Sequence, residues 1–336
     1  MPTLFTEADA DPAALAGKLI AIIGYSETGR AAALNLRDGG IAPLIGCADI
    51  DEAARVRADG FDPLTITEAA KASNVLMLTA PDEALPELYF KHVAGNLNAG
   101  DTLVFITGYC LAFGFIEPPP FIDALMLAPR LLGSALRDVS VNRSGVLSYF
   151  AVEQDASGKA WQTLLALASV LGILHGGALE VTAQQEAELS LFVRSALMPA
   201  LHHLLATMAE ILIREGYLSE AVFSDLYLAG GLRHALELAA AQGLMASFTE
   251  QSTAQYAALS HLERFQDTKQ VRQLEMILEE IRTGKFAQEW AAEVANGKPR
   301  LELLMQRRRG LSLWMQEKRA LDLLQQARTD AESSNS

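Results

Sequence analysis

The sequence predicts a doubly wound parallel α/β sheet followed by an all-helical domain, and three features lead there. Residues 19–29, LIAIIGYSETG, join an apolar strand to a helix through a glycine turn. Apolar runs and helical periods then alternate as far as residue 152. Beyond Thr182 the strand signal stops and helical periods fill the rest of the chain.

The first run is apolar and β-branched without polar alternation, the pattern of a strand covered on both faces. Gly24 ends it, and Ala32, Ala33 and Leu36 recur at helical spacing directly after. A helix N-terminus over a tight turn is a phosphate site. Gly24-x-Ser26-x-x-Gly29 is the dinucleotide fingerprint with its middle glycine replaced. The outer glycines serve the turn and the helix–strand packing, whereas Ser26 puts a side chain where the pyrophosphate approaches the backbone. Gly24, Tyr25, Ser26, Glu27, Thr28 and Gly29 are the candidate phosphate-binding residues.

Residues 41–46 make a second strand, followed by Asp49 and Asp51 with no basic residue before Arg55. An acid here accepts from the ribose hydroxyls of NAD, whereas an arginine suits the extra phosphate of NADP, so NAD is favoured over NADP. Capping the next helix is a compatible role for either aspartate. Residues 74–79, 102–106, 125–127 and 149–152 are further strands, with a turn at 80–83 and a helix at 85–93. Parallel sheets gather ligands at their carboxyl ends, which places Asp82, Thr107 and Arg130 where chemistry occurs. Pro81, Asp82 and Gly108, in the turns after these strands, complete the candidate cofactor contacts.

A chain of 336 residues, half of them hydrophobic, can bury two cores, assigned to residues 1–181 and 182–327, with a polar, disordered tail at 328–336. A formal net charge of −14 argues against nucleic acid and for small-molecule or protein partners. Cys47 and Cys110 have no metal spacing and no secretory leader is visible, which fits a reducing cytoplasm. The most apolar stretch, 189–213, is interrupted by Arg194, Pro199, His202, His203 and Glu210, so a buried helix is expected there and no membrane span.

Several segments together resemble one family: residues 33–37, 58–61, 81–83, 100–101, 113–114, 118–119, 128–129 and the long run AVEQDASG at 151–158, then TAQY at 253–256, GKFAQEW at 284–290 and GKP at 297–299. The chain is similar to the short-form ketol-acid reductoisomerases over nearly its whole length. The resemblance implies a Rossmann-type first domain and a knotted, all-helical second domain that pairs with a second subunit, giving a homodimer with the helical domains at the interface. It also implies two magnesium ions on four carboxylates that migrate an alkyl group in an acetohydroxy acid, and a nicotinamide that reduces the resulting ketone.

The departures fall on that chemistry. Thr107-Gly108 stands where the family has His-Gly, and Arg130 follows Ala128-Pro129 where the family has lysine. Ser190-Leu191-Phe192-Val193-Arg194 stands for Asp-Leu-Phe-Gly-Glu, and Asp225 is one residue out of step with the Phe-Glu-x-x-x-Glu segment. Magnesium needs hard oxygen ligands that Ser190 and Arg194 do not supply. An arginine about 5 Å from a divalent ion repels it by roughly 7 kcal/mol at an effective dielectric near 20. No magnesium site is therefore expected, nor the alkyl migration that depends on it.

The function expected on these grounds is an NAD(P)H-dependent reductase without the isomerase step, acting on a small carbonyl, imine or conjugated acid. Arg130 and Arg194 would face the nicotinamide and grip a carboxylate substrate, and Thr107 and Tyr227 would donate protons. Two alternatives stand beside it: the arginines pair with acids such as Glu186, or the protein is a non-catalytic binding or regulatory relative. An authentic reductoisomerase would require substitute metal ligands.

Overall fold

In the computed structural model, which describes residues 3–248, 252–309 and 312–334, the chain divides between Ser190 and Leu191. The first unit carries one nine-stranded sheet. Its strands are β1 (Leu4–Phe5), β2 (Ile20–Ile23), β3 (Leu44–Cys47), β4 (Pro63–Thr65), β5 (Val75–Leu78), β6 (Thr102–Phe105), β7 (Asp123–Pro129), β8 (Ser148–Gln154) and β9 (Ala178–Glu180). They lie in the order β1-β9-β8-β7-β6-β5-β2-β3-β4.

From β4 across to β7 every pairing is parallel, and β2, β5, β6 and β7 are buried at each position. Full burial on both faces is what a continuous apolar run signals. The sheet is nevertheless mixed, because β8 runs antiparallel to β7 and β1 antiparallel to β9. Residues 148–154 alternate in burial and end on Glu153 and Gln154, the pattern of a strand with one face partly open. The edge strands β1 and β4, and β9 next to β1, have only two or three residues, too few to leave a period in the sequence.

The chain runs from β2 outward through β3 and β4, then returns to build β5, β6 and β7 on the other side. The switch point is therefore the crevice between the carboxyl ends of β2 and β5, where such sheets bind ligands. Helices α1 (Glu27–Asp38), α2 (Ile50–Ala58), α3 (Ile66–Ala72), α4 (Leu85–Leu88), α5 (Tyr109–Ala112), α6 (Ser134–Val141), α7 (Ala160–Val170) and α8 (Ala183–Phe192) flank it. One core, including Ile22, Leu36, Met77, Val104 and Leu164, joins α1 and α7 to the sheet.

The second unit is all helical. After a π-turn at Val193–Leu197 come α9 (Met198–Arg214), α10 (Ser219–Phe223), a second π-turn at Ser224–Leu228, α11 (Gly231–Gln242), α12 (Ser252–Leu262), α13 (Thr268–Arg282), α14 (Lys285–Ala295), α15 (Pro299–Arg309) and α16 (Ser312–Ser334). Residues 328–334, expected in a disordered tail, belong to α16, and 335–336 lie outside the described residues. A small core of Ala209, Val222, Phe223, Leu313 and Ala320 ties α9 and α10 to α16.

The apolar stretch expected as a buried helix is instead largely exposed. The helical run Ala183–Arg214 is long and apolar enough to cross a membrane, and little of it is buried. Leu197 is 57% exposed and Met198 54%. Apolar periodicity marks a face that needs covering and does not say which chain covers it.

Candidate active site

Gly24 closes β2 with φ +89°, and its N–H donates to the Gly46 carbonyl at 2.9 Å. A Cβ there would fall 2.9 Å from the Ala80 Cβ, so the turn after β2 and the turn after β5 touch through this glycine. Ser26 caps α1. Its hydroxyl accepts from the Gly29 N–H at 3.2 Å and donates to the Thr79 carbonyl at 2.8 Å. The side chain expected in the pyrophosphate's path is thus folded onto the end of β5, and the replaced middle glycine leaves the turn intact.

Tyr25 is fully buried, and its hydroxyl donates to Asp59 at 3.0 Å, so it meets the turn only through its main chain. Glu27 lies 4.0 Å from Arg55. Thr28 Oγ1 accepts from the Gly133 N–H at 3.0 Å, which ties the loop before α6 to the first turn of α1. At the end of β3, Asp49 accepts from the Glu52 N–H at 2.7 Å and Glu52 accepts from the Ala48 N–H at 2.8 Å. Asp49 therefore takes the capping role, and with Glu52 and the exposed Asp51 it makes this loop acidic.

Along the carboxyl edge, Thr107 Oγ1 donates to Asp82 at 2.6 Å. Gly108 lies against α8: a Cβ on it would fall 2.2 Å from the Ala183 carbonyl oxygen, and its N–H donates to Glu186 at 2.7 Å. Arg130, at the end of β7, donates through Nη1 to Glu186 at 2.6 Å and through Nη2 to the Ser190 hydroxyl at 3.0 Å. That hydroxyl donates to Glu186 at 3.0 Å. Four-residue spacing on α8 sets Glu186 and Ser190 on one face. The guanidinium stacks 4.8 Å from the Tyr149 ring centroid, and Glu186 is 2% exposed.

The structure thus brings Asp82, Thr107, Gly108 and Arg130 to one edge, and it realises the pairing of Arg130 with Glu186. Glu186 was legible only as one acid among several, since nothing local in the sequence links it to Arg130. Arg194 and Tyr227 belong to the second unit, where each sits in a π-turn, a distortion frequent at functional sites. Arg194 is exposed. The Tyr227 hydroxyl donates to Glu317; burial and that carboxylate push its pKa up, opposite to the lowering that an arginine-assisted proton donor requires.

Tyr25 and Tyr109 are likewise pushed up, chiefly by burial. A tyrosine whose folded pKa exceeds its unfolded value contributes stability that is complete below pH ~10 and lost as the pH rises further. We expect an alkaline absorbance titration to show four tyrosines ionising late, these three and Tyr89, which burial also pushes up, with unfolding free energy falling above pH ~10. Replacing Tyr227 with phenylalanine should reduce the late set by one.

Residues 14–177 match the family described as "Acetohydroxy acid isomeroreductase, NADPH-binding domain", and residues 184–325 match "Ketol-acid reductoisomerase, C-terminal domain". The chain is 34% identical over 302 residues to the ketol-acid reductoisomerase (NADP(+)) of Methanopyrus kandleri, covering 89% of this chain and 91% of that one. It is 32% identical over 310 residues to the enzyme of the same name from Clostridioides difficile, with the same coverage. A solved NADH-preferring ketol-acid reductoisomerase from an uncultured archaeon superposes with a TM-score of 0.89 at 27% identity, covering 96% of this chain and 99% of that one.

These likenesses overturn the expected reductase without an isomerase step, and with it the non-catalytic alternative. That expectation rested on a few positions, chiefly Arg130, Ser190 and Arg194, whereas the likeness to named reductoisomerases runs through both domains. The fold is the one expected, a nucleotide-binding α/β domain followed by a helical one.

Proposed function

We propose that this chain, which belongs to the ketol-acid reductoisomerase family, is an NAD(P)H-dependent ketol-acid reductoisomerase. The observation that carries the reading is the 34% identity to such an enzyme along 89% of the chain, joined to a phosphate turn whose serine is folded away. The dinucleotide pyrophosphate sits on the turn at Gly24–Gly29, over the N-terminus of α1. Arg130 presents a planar fork to the substrate carboxylate, and Thr107, oriented by Asp82, lies at the same edge. The bound nicotinamide supplies the hydride.

Two magnesium ions on four carboxylates belong to this family as the resemblance describes it, and the described residues of this chain do not fit that set. Ser190 and Arg194 stand at two of its positions and bring no carboxylate, and the nearby Glu186 is already engaged by Arg130, Ser190 and Gly108. The test of the function is oxidation of NADH or NADPH in the presence of acetolactate and magnesium. Turnover supports the reading; its absence with both nucleotides sinks it.

The acidic loop of Asp49, Asp51 and Glu52 supports NADH as the preferred cofactor, because these carboxylates repel a 2′-phosphate. Replacing Asp49 by serine, which preserves the cap, should tighten NADPH about tenfold, ~1.4 kcal/mol, and leave NADH within twofold in a calorimetric titration. The exposed apolar face around Leu197 and Met198 supports a homodimer through the helical units in a cytoplasmic enzyme, with protein and not lipid covering the helix. Leu197→Asp should shift the protein to monomer in size-exclusion chromatography at micromolar concentration. An unchanged elution volume would remove this helix from the interface.

A further inference from the structure

A buried carboxylate needs a counter-charge, and what supplies it is a matter of geometry. Glu186 is 2% exposed, and three donors reach it: the Gly108 N–H on Oε2, and Arg130 Nη1 with the Ser190 hydroxyl on Oε1. A carboxylate offers about four lone-pair directions, so most of its capacity is spent. The Ser190 hydroxyl is spent as well, since it accepts from Arg130 Nη2 and gives its proton to Glu186.

We propose that the Arg130 guanidinium is the resident cation of the Glu186–Ser190 site, filling it in place of a divalent ion, so that Glu186 is not a metal ligand in this chain. The inference deepens the reductoisomerase reading and rests on it only for what the site serves.

The charges balance as a single cation requires. One guanidinium neutralises one carboxylate, and the neighbour at position 190 contributes a neutral hydroxyl. A carboxylate at 190 would leave the cluster one negative charge in excess and would add the hard oxygen ligand that a divalent ion takes. The Tyr149 ring, 4.8 Å from the guanidinium, offers a flat face that suits a planar, weakly hydrated cation and not a hydrated metal. Two of the five N–H donors of Arg130 hold the cluster, and the side chain is 28% exposed. Its outer donors can therefore meet an anionic oxygen of the substrate.

The experiment uses the full chain and manganese(II) as probe, read by the loss of the free-ion signal in electron paramagnetic resonance. Wild type and Glu186→Gln should give the same titration, whatever ions bind elsewhere. The double variant Arg130→Gln/Ser190→Asp, which removes the cation and adds a carboxylate, should gain at least tenfold in manganese affinity. Stoichiometric manganese binding by wild type that disappears in Glu186→Gln would overturn the proposal. So would a folded double variant with no gain; should that variant fail to fold, the comparison of wild type with Glu186→Gln decides alone. Quenching of NADPH fluorescence is followed in parallel. Failure of wild type to bind either nucleotide would count against the reductoisomerase reading and leave the assignment of Arg130 to be judged on the manganese titrations.

Discussion

Replacing Arg130 by leucine is expected to destabilise the first unit by about 3–5 kcal/mol, because it strands the Glu186 charge in a site that water does not reach. Glu186 keeps the Gly108 N–H and the Ser190 hydroxyl, but neither carries a charge. A lower denaturant midpoint with an unchanged slope in urea is the signature to look for. Removing both partners in Arg130→Leu/Glu186→Leu should cost less than the two single changes added together, since no orphaned charge remains. Additive losses would mean that the pair is not coupled. Activity should be lost in the two variants that lack Arg130, because the guanidinium is the group proposed to meet substrate.

The second large effect is expected at Gly29. A Cβ there would lie 2.4 Å from the Gly24 carbonyl oxygen and 2.6 Å from Thr79 Oγ1, both belonging to the turns that form the crevice. Neither can retreat freely, since Thr79 Oγ1 donates to that same carbonyl at 2.6 Å. Gly29→Ala must therefore push α1 off the sheet and take its N-terminal amides out of register with the phosphates. Calorimetry should find NAD(P)H weakened at least a hundredfold, ~2.7 kcal/mol. Gly95→Ala is the control: nothing lies within 4 Å of a Cβ at that position, so the nucleotide should bind as in wild type.

What the sequence reveals of this molecule is what is local. Gly24 and Gly29 announce the turn because strand, glycine and helix follow one another without a gap, and the buried strands announce themselves by unbroken apolar runs. The direction of the Ser26 hydroxyl is not local. It depends on Thr79, 53 residues away, and so a serine that reads as an obstruction proves to be a cap. Arg130 and Glu186 are 56 residues apart, and Tyr227 and Glu317 are 90 apart. No periodicity encodes such pairings, which exist only once the sheet edge or the helical unit has formed. The antiparallel turn of β8 was visible in principle, in the polar ending Glu153-Gln154 that a strand buried on both faces would not carry.

The slender core of the helical unit has a consequence for how its stability is measured. Five buried side chains hold α9, α10 and α16 together, while leucines and methionines on α9 face outward. In the proposed homodimer such a unit draws part of its stability from its partner, and mass action then enters the unfolding equilibrium. Melting temperature should rise with protein concentration, by an amount set by the dissociation constant of the pair, so a single value has meaning only with its concentration attached.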